Sequence, residues 1–87
     1  MIHLVTLEAP PVHFANLVGQ LRNLSNGFYV LSAGHYLVVT NNSATELRDW
    51  LRLIGASRVA VLRLQGGWGT TANQELAQWL QNAASFF

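Results

Sequence analysis

The chain has 87 residues, of which 51% are hydrophobic and only 10% are charged, and its formal net charge is +1. This length predicts one domain, residues 1–87, with a core close to the lower limit for independent stability. The charged share is well below the rough quarter that is typical of soluble domains. We therefore expect a homodimer or a protein partner to cover part of the surface. A monomer with a surface rich in Asn, Gln and Ser is the alternative.

Cysteine is absent from the sequence, which excludes a disulfide framework and a thiolate metal site. The first residues, MIHLVTLEAPP, contain neither a basic segment nor an apolar run of membrane-spanning length. We therefore expect a cytoplasmic protein that does not associate with a membrane. Five basic residues, all arginine, stand against four acidic ones. Because this balance attracts nucleic acid only weakly, RNA or DNA binding would need a local arginine cluster.

Hydrophobic patterning predicts seven secondary-structure elements in chain order. Alternating apolar residues predict a first strand that ends at Glu8, and Pro10-Pro11 then starts a helix. Ser32-Ala33-Gly34 is short enough to join the second and third strands as a hairpin. Thr70 or Thr71 is the predicted N-cap of the last helix. The predicted strands cover 2–8, 28–31, 35–40 and 58–64, and the predicted helices cover 11–24, 43–54 and the segment after 71.

The clearest local signal is the change from strand to helix within residues 35–54. The β-branched and aromatic run before Asn41 suits a buried strand. Ser43 followed three residues later by Glu46 predicts a capping box, in which each side chain bonds a backbone N–H at the helix start. Four apolar residues then fall on one helical face: Leu47, Trp50, Leu51 and Ile54.

The element order βαββαβα predicts a ferredoxin-like α+β domain, a four-stranded antiparallel sheet with an additional C-terminal helix. Right-handed crossovers place the first and third strands in the middle, with the first two helices on one face. The strand over 58–64 carries apolar residues on both sides, which predicts burial on both faces. Either the last helix or a second subunit would then cover the other face, and part of the tail at Phe86-Phe87 would be sequestered.

Several segments together resemble a known family. They are the strand at 35–40, the run SATELRD at 43–49, the run RVAVLRLQG at 58–66, Trp68, and Trp79-Leu80. In this pattern the chain resembles the small SinR-type proteins, ferredoxin-like relatives of the second CRISPR-associated adaptation protein and of VapD-type ribonuclease toxins. The resemblance is best over residues 36–68. It implies a dimeric protein of nucleic-acid metabolism or of mobile-element defence.

The resemblance also implies a metal site at Glu8. In the CRISPR-associated relatives, an aspartate at the end of the first strand lies near the dimer two-fold axis. Two such carboxylates hold a divalent metal there for phosphodiester cleavage. Glu8 occupies the matching position, with glutamate in place of aspartate, and carboxylate oxygens suit Mg²⁺ or Mn²⁺. The alternative is a solvated carboxylate near the start of the following helix.

Other candidates involve phosphate contact, acid–base chemistry and subunit contact. The phosphate-binding candidates are Arg48, Arg52, Arg58 and Arg63, although Arg48 and Arg52 also fit a solvated helix face. His3 and His35 could be neighbours on the central strands, where one could act as an acid or base; a partly buried histidine bonded to a carbonyl is the favoured alternative. The interface candidates are Trp68, Trp79, Phe86 and Phe87.

Two functions therefore remain open at this point. One is a metal-dependent endonuclease or ribonuclease that builds its site from Glu8 of two subunits. The other is a non-catalytic adaptor, binding protein or inhibitor with the same fold. The residues do not distinguish RNA from DNA as the ligand.

Overall fold

The computed structural model describes residues 1–70 and 73–87. The last helix is followed by one 3₁₀ turn at Ala84–Phe86. None of the helices in these two ranges is both long and apolar enough to cross a bilayer. The elements are β1 (Ile2–Glu8), α1 (Pro11–Leu24), β2 (Gly27–Ser32), β3 (His35–Val39), α2 (Ala44–Leu53), β4 (Arg58–Arg63) and α3 (Gln74–Asn82).

The strands form one antiparallel sheet in the order β2-β3-β1-β4. β1 and β3 are therefore central, and α1 and α2 each connect two strands that have another strand between them. Val5 of β1 lies opposite Tyr36 on one side and opposite Val61 on the other. The predicted ferredoxin-like arrangement with a C-terminal helix is confirmed.

The main core lies between one face of the sheet and the helices α1 and α2. Because side chains alternate along a strand, Val5 and Leu7 face this core. The apolar stripes of the two helices, which the sequence pattern predicted, supply the opposite wall. The buried residues of this cluster are Val5, Leu7, Leu17, Leu21, Tyr36, Val38, Leu47 and Leu51.

Helix α2 begins with the predicted capping box. The Ser43 hydroxyl accepts a hydrogen bond from the Glu46 N–H at 3.2 Å, and the Glu46 carboxylate accepts one from the Ser43 N–H at 3.0 Å. The Ser43 backbone N–H, and secondarily its side chain, holds the pKa of Glu46 below its ordinary value of 4.5. This pair fixes the direction of α2 immediately after the central strand β3.

The second face of the sheet is partly covered by α3. Ile2, Val39 and Ala83 are buried there, and Trp79 and Phe87 pack against them. The centroid of the Trp79 ring lies 5.8 Å from the centroid of the Tyr29 ring on β2. The last helix therefore covers part of its own sheet, and Phe87 is partly buried against this cluster, whereas Phe86 is exposed.

The burial predicted for both faces of the fourth strand is wrong. β4 is an edge strand, and among the described residues it pairs with β1 alone. Val59 and Val61 are partly buried against the core, but Leu62 on the other face is 53% exposed. The reason is that α3 packs on Ile2 and Val39, away from the middle of β4.

The N-cap of α3 is Asn73, and Thr70 does not cap the helix. The Asn73 side-chain oxygen accepts a hydrogen bond from the Leu76 N–H at 2.9 Å. The Thr70 hydroxyl instead donates to the Asn73 carbonyl at 3.4 Å. Thr71, the other predicted cap, lies outside the described residues. The helix therefore begins a few residues later than either threonine would place it.

Candidate functional site

A groove with a volume of about 740 Å³ opens at one end of the sheet. Its walls come from the end of β1, the β2–β3 turn, α2 and the beginning of β4. We call it the arginine groove, after the three guanidinium groups that line it. Its charged and polar lining side chains include Glu8, His35, Arg48, Arg52, Ser57 and Arg58.

The topology explains why these residues meet. In an antiparallel sheet, β1 ends where its neighbours begin, so Glu8 lies opposite Arg58 and Thr6 lies opposite His35. Helix α2 starts at the far end of the sheet and returns toward the beginning of β4. Arg48 and Arg52, four residues apart on α2, therefore lie on one helical side next to that end.

The two helical arginines differ in their acidic neighbours. The Arg48 guanidinium contacts the Asp49 carboxylate at 2.8 Å, and the Arg48 side chain is 46% exposed. Among the described residues, no carboxylate lies within 4.0 Å of Arg52. Arg52 therefore offers the least neutralised guanidinium to an anion in the groove.

Arg58 and Glu8 form a loose ion pair at the edge of the groove. The distance from Arg58 Nε to Glu8 Oε2 is 3.8 Å, and the two side chains are 83% and 68% exposed. A pair in this setting contributes little to stability, and both groups remain accessible to a ligand. Arg48, Arg52 and Arg58 carry three positive charges, and Glu8 and Asp49 carry two negative ones, so the groove has an excess of positive charge.

The side chains of one chain do not fit a divalent metal at Glu8. Glu8 supplies a single carboxylate, and the adjacent guanidinium of Arg58 opposes the binding of a second cation. Within residues 1–70 and 73–87, no three His, Asp or Glu side chains are grouped as metal ligands. The expected Mg²⁺ or Mn²⁺ site thus remains a prediction for two subunits together.

The two histidines on the central strands are not neighbours, so that prediction is wrong. His35 lies in the groove, with its Nδ1 3.0 Å from the Ser32 hydroxyl. His3 is fully buried at the other end of β1 and on the opposite face of the sheet, and its Nε2 donates to the Asn42 carbonyl at 2.9 Å. The register explains the separation, because His3 pairs with Val38 and His35 pairs with Thr6.

The remaining candidate residues lie away from the groove. Arg63 is opposite His3 at the far end of β4. Among the interface candidates, Trp68 is 42% exposed and Phe86 is 46% exposed. Trp79 and Phe87 pack within the chain.

Two features of the groove were not predicted as parts of a site. The backbone N–H and the hydroxyl of Ser57 both donate to the Glu8 carbonyl, at 2.9 and 3.0 Å, and so attach the start of β4 to the end of β1. The β2–β3 turn joins the wall because the Leu7 N–H donates to the Gly34 carbonyl at 2.8 Å. The sequence signal for this turn was the predicted hairpin that ends at Gly34, where the structure has a positive φ of 84°.

Protein-family models, curated proteins and solved structures were compared with the chain, and none of them matches it.

Proposed function

We propose that this protein binds nucleic acid by holding backbone phosphates in the arginine groove. The observation that supports this most is the convergence of Arg48, Arg52 and Arg58, from α2 and β4, on one groove. Guanidinium groups match phosphate oxygens in both charge and geometry. The excess of arginine over carboxylate in the groove favours an anionic ligand, although the whole chain is nearly neutral.

The size of the groove favours a single strand over a duplex. A volume of about 740 Å³ falls in the range of roughly 300–1,000 Å³ that is typical of small-molecule sites, which suits one or two nucleotides. The proposed kinship with the SinR-type and CRISPR-adaptation proteins favours nucleic acid over other anions. Both RNA and DNA therefore belong in the test.

The binding test uses short labelled single strands of RNA and of DNA in anisotropy titrations. The double variant R48Q/R52Q is compared with R63Q, which removes an arginine outside the groove. Hydrogen bonds to charged groups contribute roughly 1.5–3 kcal/mol, so we expect the double variant to raise Kd by at least about tenfold. R63Q is expected to match the wild type. No binding by the wild type, or equal losses in both variants, would contradict the proposal.

A homodimer is the second part of the proposal. It is supported by the low share of charged residues and by exposed apolar side chains on the sheet and tail. The larger ones include Val30, Leu31, Leu62, Trp68 and Phe86. Its test is the mass in solution, for which we expect twice the 9.6 kDa of one chain.

A metal-dependent phosphodiesterase is the second candidate function, because Glu8 lies in the same groove as the arginines. We rank it below binding without catalysis, since a single chain offers Glu8 without a second carboxylate. The test is Mn²⁺-dependent cleavage of RNA and DNA by wild type, E8Q and the control E75Q. Cleavage that is lost only in E8Q supports this candidate. Equal cleavage by wild type and E8Q, or none by either, eliminates it.

A further inference from the structure

The two edge strands of the sheet differ in how they are protected from pairing. Within residues 1–70 and 73–87, no strand pairs with the outer side of β2 or of β4. β4 begins with Arg58 and ends with Arg63, and charged residues of this kind block association between edges. β2, with the sequence GFYVLS, contains neither a charged residue nor a proline. Its unpaired backbone groups are therefore open to another strand.

Apolar side chains accompany both ends of β2. Near its end, Val30 and Leu31 are 47% and 40% exposed. At its beginning, Gly27 lines a small cleft together with Phe86, whose side chain is 46% exposed. A bulge between Val30 and Ser32 leaves the regular part of the edge at Gly27 to Val30. Backbone pairing along this edge would therefore be short, and apolar side-chain contacts must contribute to any interface formed there.

We propose that β2 is the interface of the homodimer, paired antiparallel with β2 of a second copy into one continuous sheet. This inference rests on the proposed homodimer and adds its location. Antiparallel pairing sets the beginning of one β2 beside the end of the other. Val30 and Leu31 of each copy then lie beside the beginning of β2 of the partner, so the two-fold axis buries the same exposed apolar residues of both copies.

The other edge pairings are disfavoured by charge or by symmetry. Two β4 strands paired antiparallel would bring Arg58 of each copy toward Arg63 of the other, and like charges that face each other across strands are destabilising. Pairing β2 with β4 uses two different surfaces, so it leaves a free edge on each copy and extends into open assemblies. Pairing β2 with β2 is closed and places no charged strand residues opposite each other, because the Arg22 guanidinium that lies over the Phe28 ring belongs to α1.

The test is sedimentation velocity at micromolar concentration on wild type, V30K and L62K. The two variants add the same charge to an exposed aliphatic position, one on each edge strand. We expect the wild type to be a dimer, V30K to raise the dimer Kd by at least about tenfold, and L62K to change it less than about twofold. A wild-type monomer overturns the homodimer and its interface together. A dimer that V30K leaves intact, or that L62K weakens equally, overturns the interface alone.

Hydrogen exchange of the wild type provides a second measurement that does not depend on the folding of a variant. At high protein concentration we expect slower exchange of β2 amides and unchanged exchange of β4 amides, because only β2 gains partners in the dimer. Protection that rises in β4 and not in β2 contradicts the proposal. The groove variant R48Q/R52Q should remain dimeric, so a failure of nucleic-acid binding is distinguished from a failure of the interface.

Discussion

Arg52 differs from the other two arginines of the groove in its neighbours. Arg48 contacts Asp49, and Arg58 lies beside Glu8. A carboxylate next to a guanidinium competes with a phosphate for the same hydrogen bonds. Arg52 is free of this competition among the described residues and lies in the last turn of α2. It should therefore contribute most to phosphate binding.

Replacement of Glu8 by Gln should strengthen the binding of a nucleic acid. The change removes a negative charge from the groove and releases Arg58 from its ion pair, so we expect Kd to fall by about twofold to fivefold at low salt. Anisotropy titration in a metal-free buffer measures this effect, with E75Q as the control. Weaker binding by E8Q would mean that the carboxylate itself contacts the ligand.

The composition of the groove was predictable, but its boundary was not. Glu8, Arg48, Arg52 and Arg58 were candidates because their residue types suit phosphate or metal chemistry. Their convergence depends on the strand order and on the return of α2 to one end of the sheet. The same register places Arg63 at the opposite end of β4. Side-chain alternation could have separated His3 from His35, but only with the pairing of β1 and β3 known.

At the scale of single elements, sequence signals worked best where the interaction is local. The capping box of α2 needs only Ser43 and Glu46, three residues apart, and it forms as predicted. The cap of α3 was misplaced because Thr70, Thr71 and Asn73 are all acceptable caps. The burial of β4 was misjudged for a different reason: burial depends on what packs over a strand, which its own residues do not specify.

The variant S43A should destabilise the protein by about 1 kcal/mol, because it removes the acceptor for the Glu46 N–H at the start of α2. Urea unfolding followed by circular dichroism measures the loss. N16A, at an exposed position on α1, serves as the control and should change stability much less. A loss in S43A no larger than that in N16A would show that the box does not stabilise the fold.

Glu46 should also make the stability depend on pH. Its pKa is lowered in the folded protein by the Ser43 hydrogen bonds, so its carboxylate favours folding above the ordinary value of 4.5. This contribution is lost as the pH falls through the lowered pKa. Unfolding curves of wild type and E46Q should therefore converge at acid pH. A stability difference that stays constant over this range contradicts the assignment.

The hairpin turn beside the groove should tolerate no side chain at Gly34. Its φ is 84°, and a Cβ atom there would lie 2.8 Å from the Leu7 carbonyl oxygen. Gly67 also has a positive φ, of 75°, but has open space around it. We expect G34A to lose about 2–4 kcal/mol and G67A about 1–2 kcal/mol, in thermal or urea unfolding. Equal losses would exclude the contact with Leu7 as the cause.

At the scale of the whole molecule, the fold separates two kinds of surface. The charged groove lies at the end of the sheet where β1 ends and β4 begins, whereas the uncharged outer edge of β2 runs along the side of the sheet away from β4. α3 covers part of the remaining face, around Ile2 and Val39. In a dimer through β2, β2 and β3 of both copies separate the two β1 strands, so this dimer does not bring the two Glu8 carboxylates together on one metal. Ligand binding and dimerisation can therefore be tested separately.

The central claim, that the arginine groove holds nucleic-acid phosphates, is tested most directly by the salt dependence of binding. For a single strand, the slope of log K against log salt changes by roughly 0.7 for each phosphate that the protein neutralises. Titration of a labelled strand at several salt concentrations should therefore give a slope about 0.7 shallower in R52Q than in the wild type. The slope of R63Q should match that of the wild type. A slope unchanged in R52Q, or reduced equally in R63Q, would contradict phosphate binding in this groove.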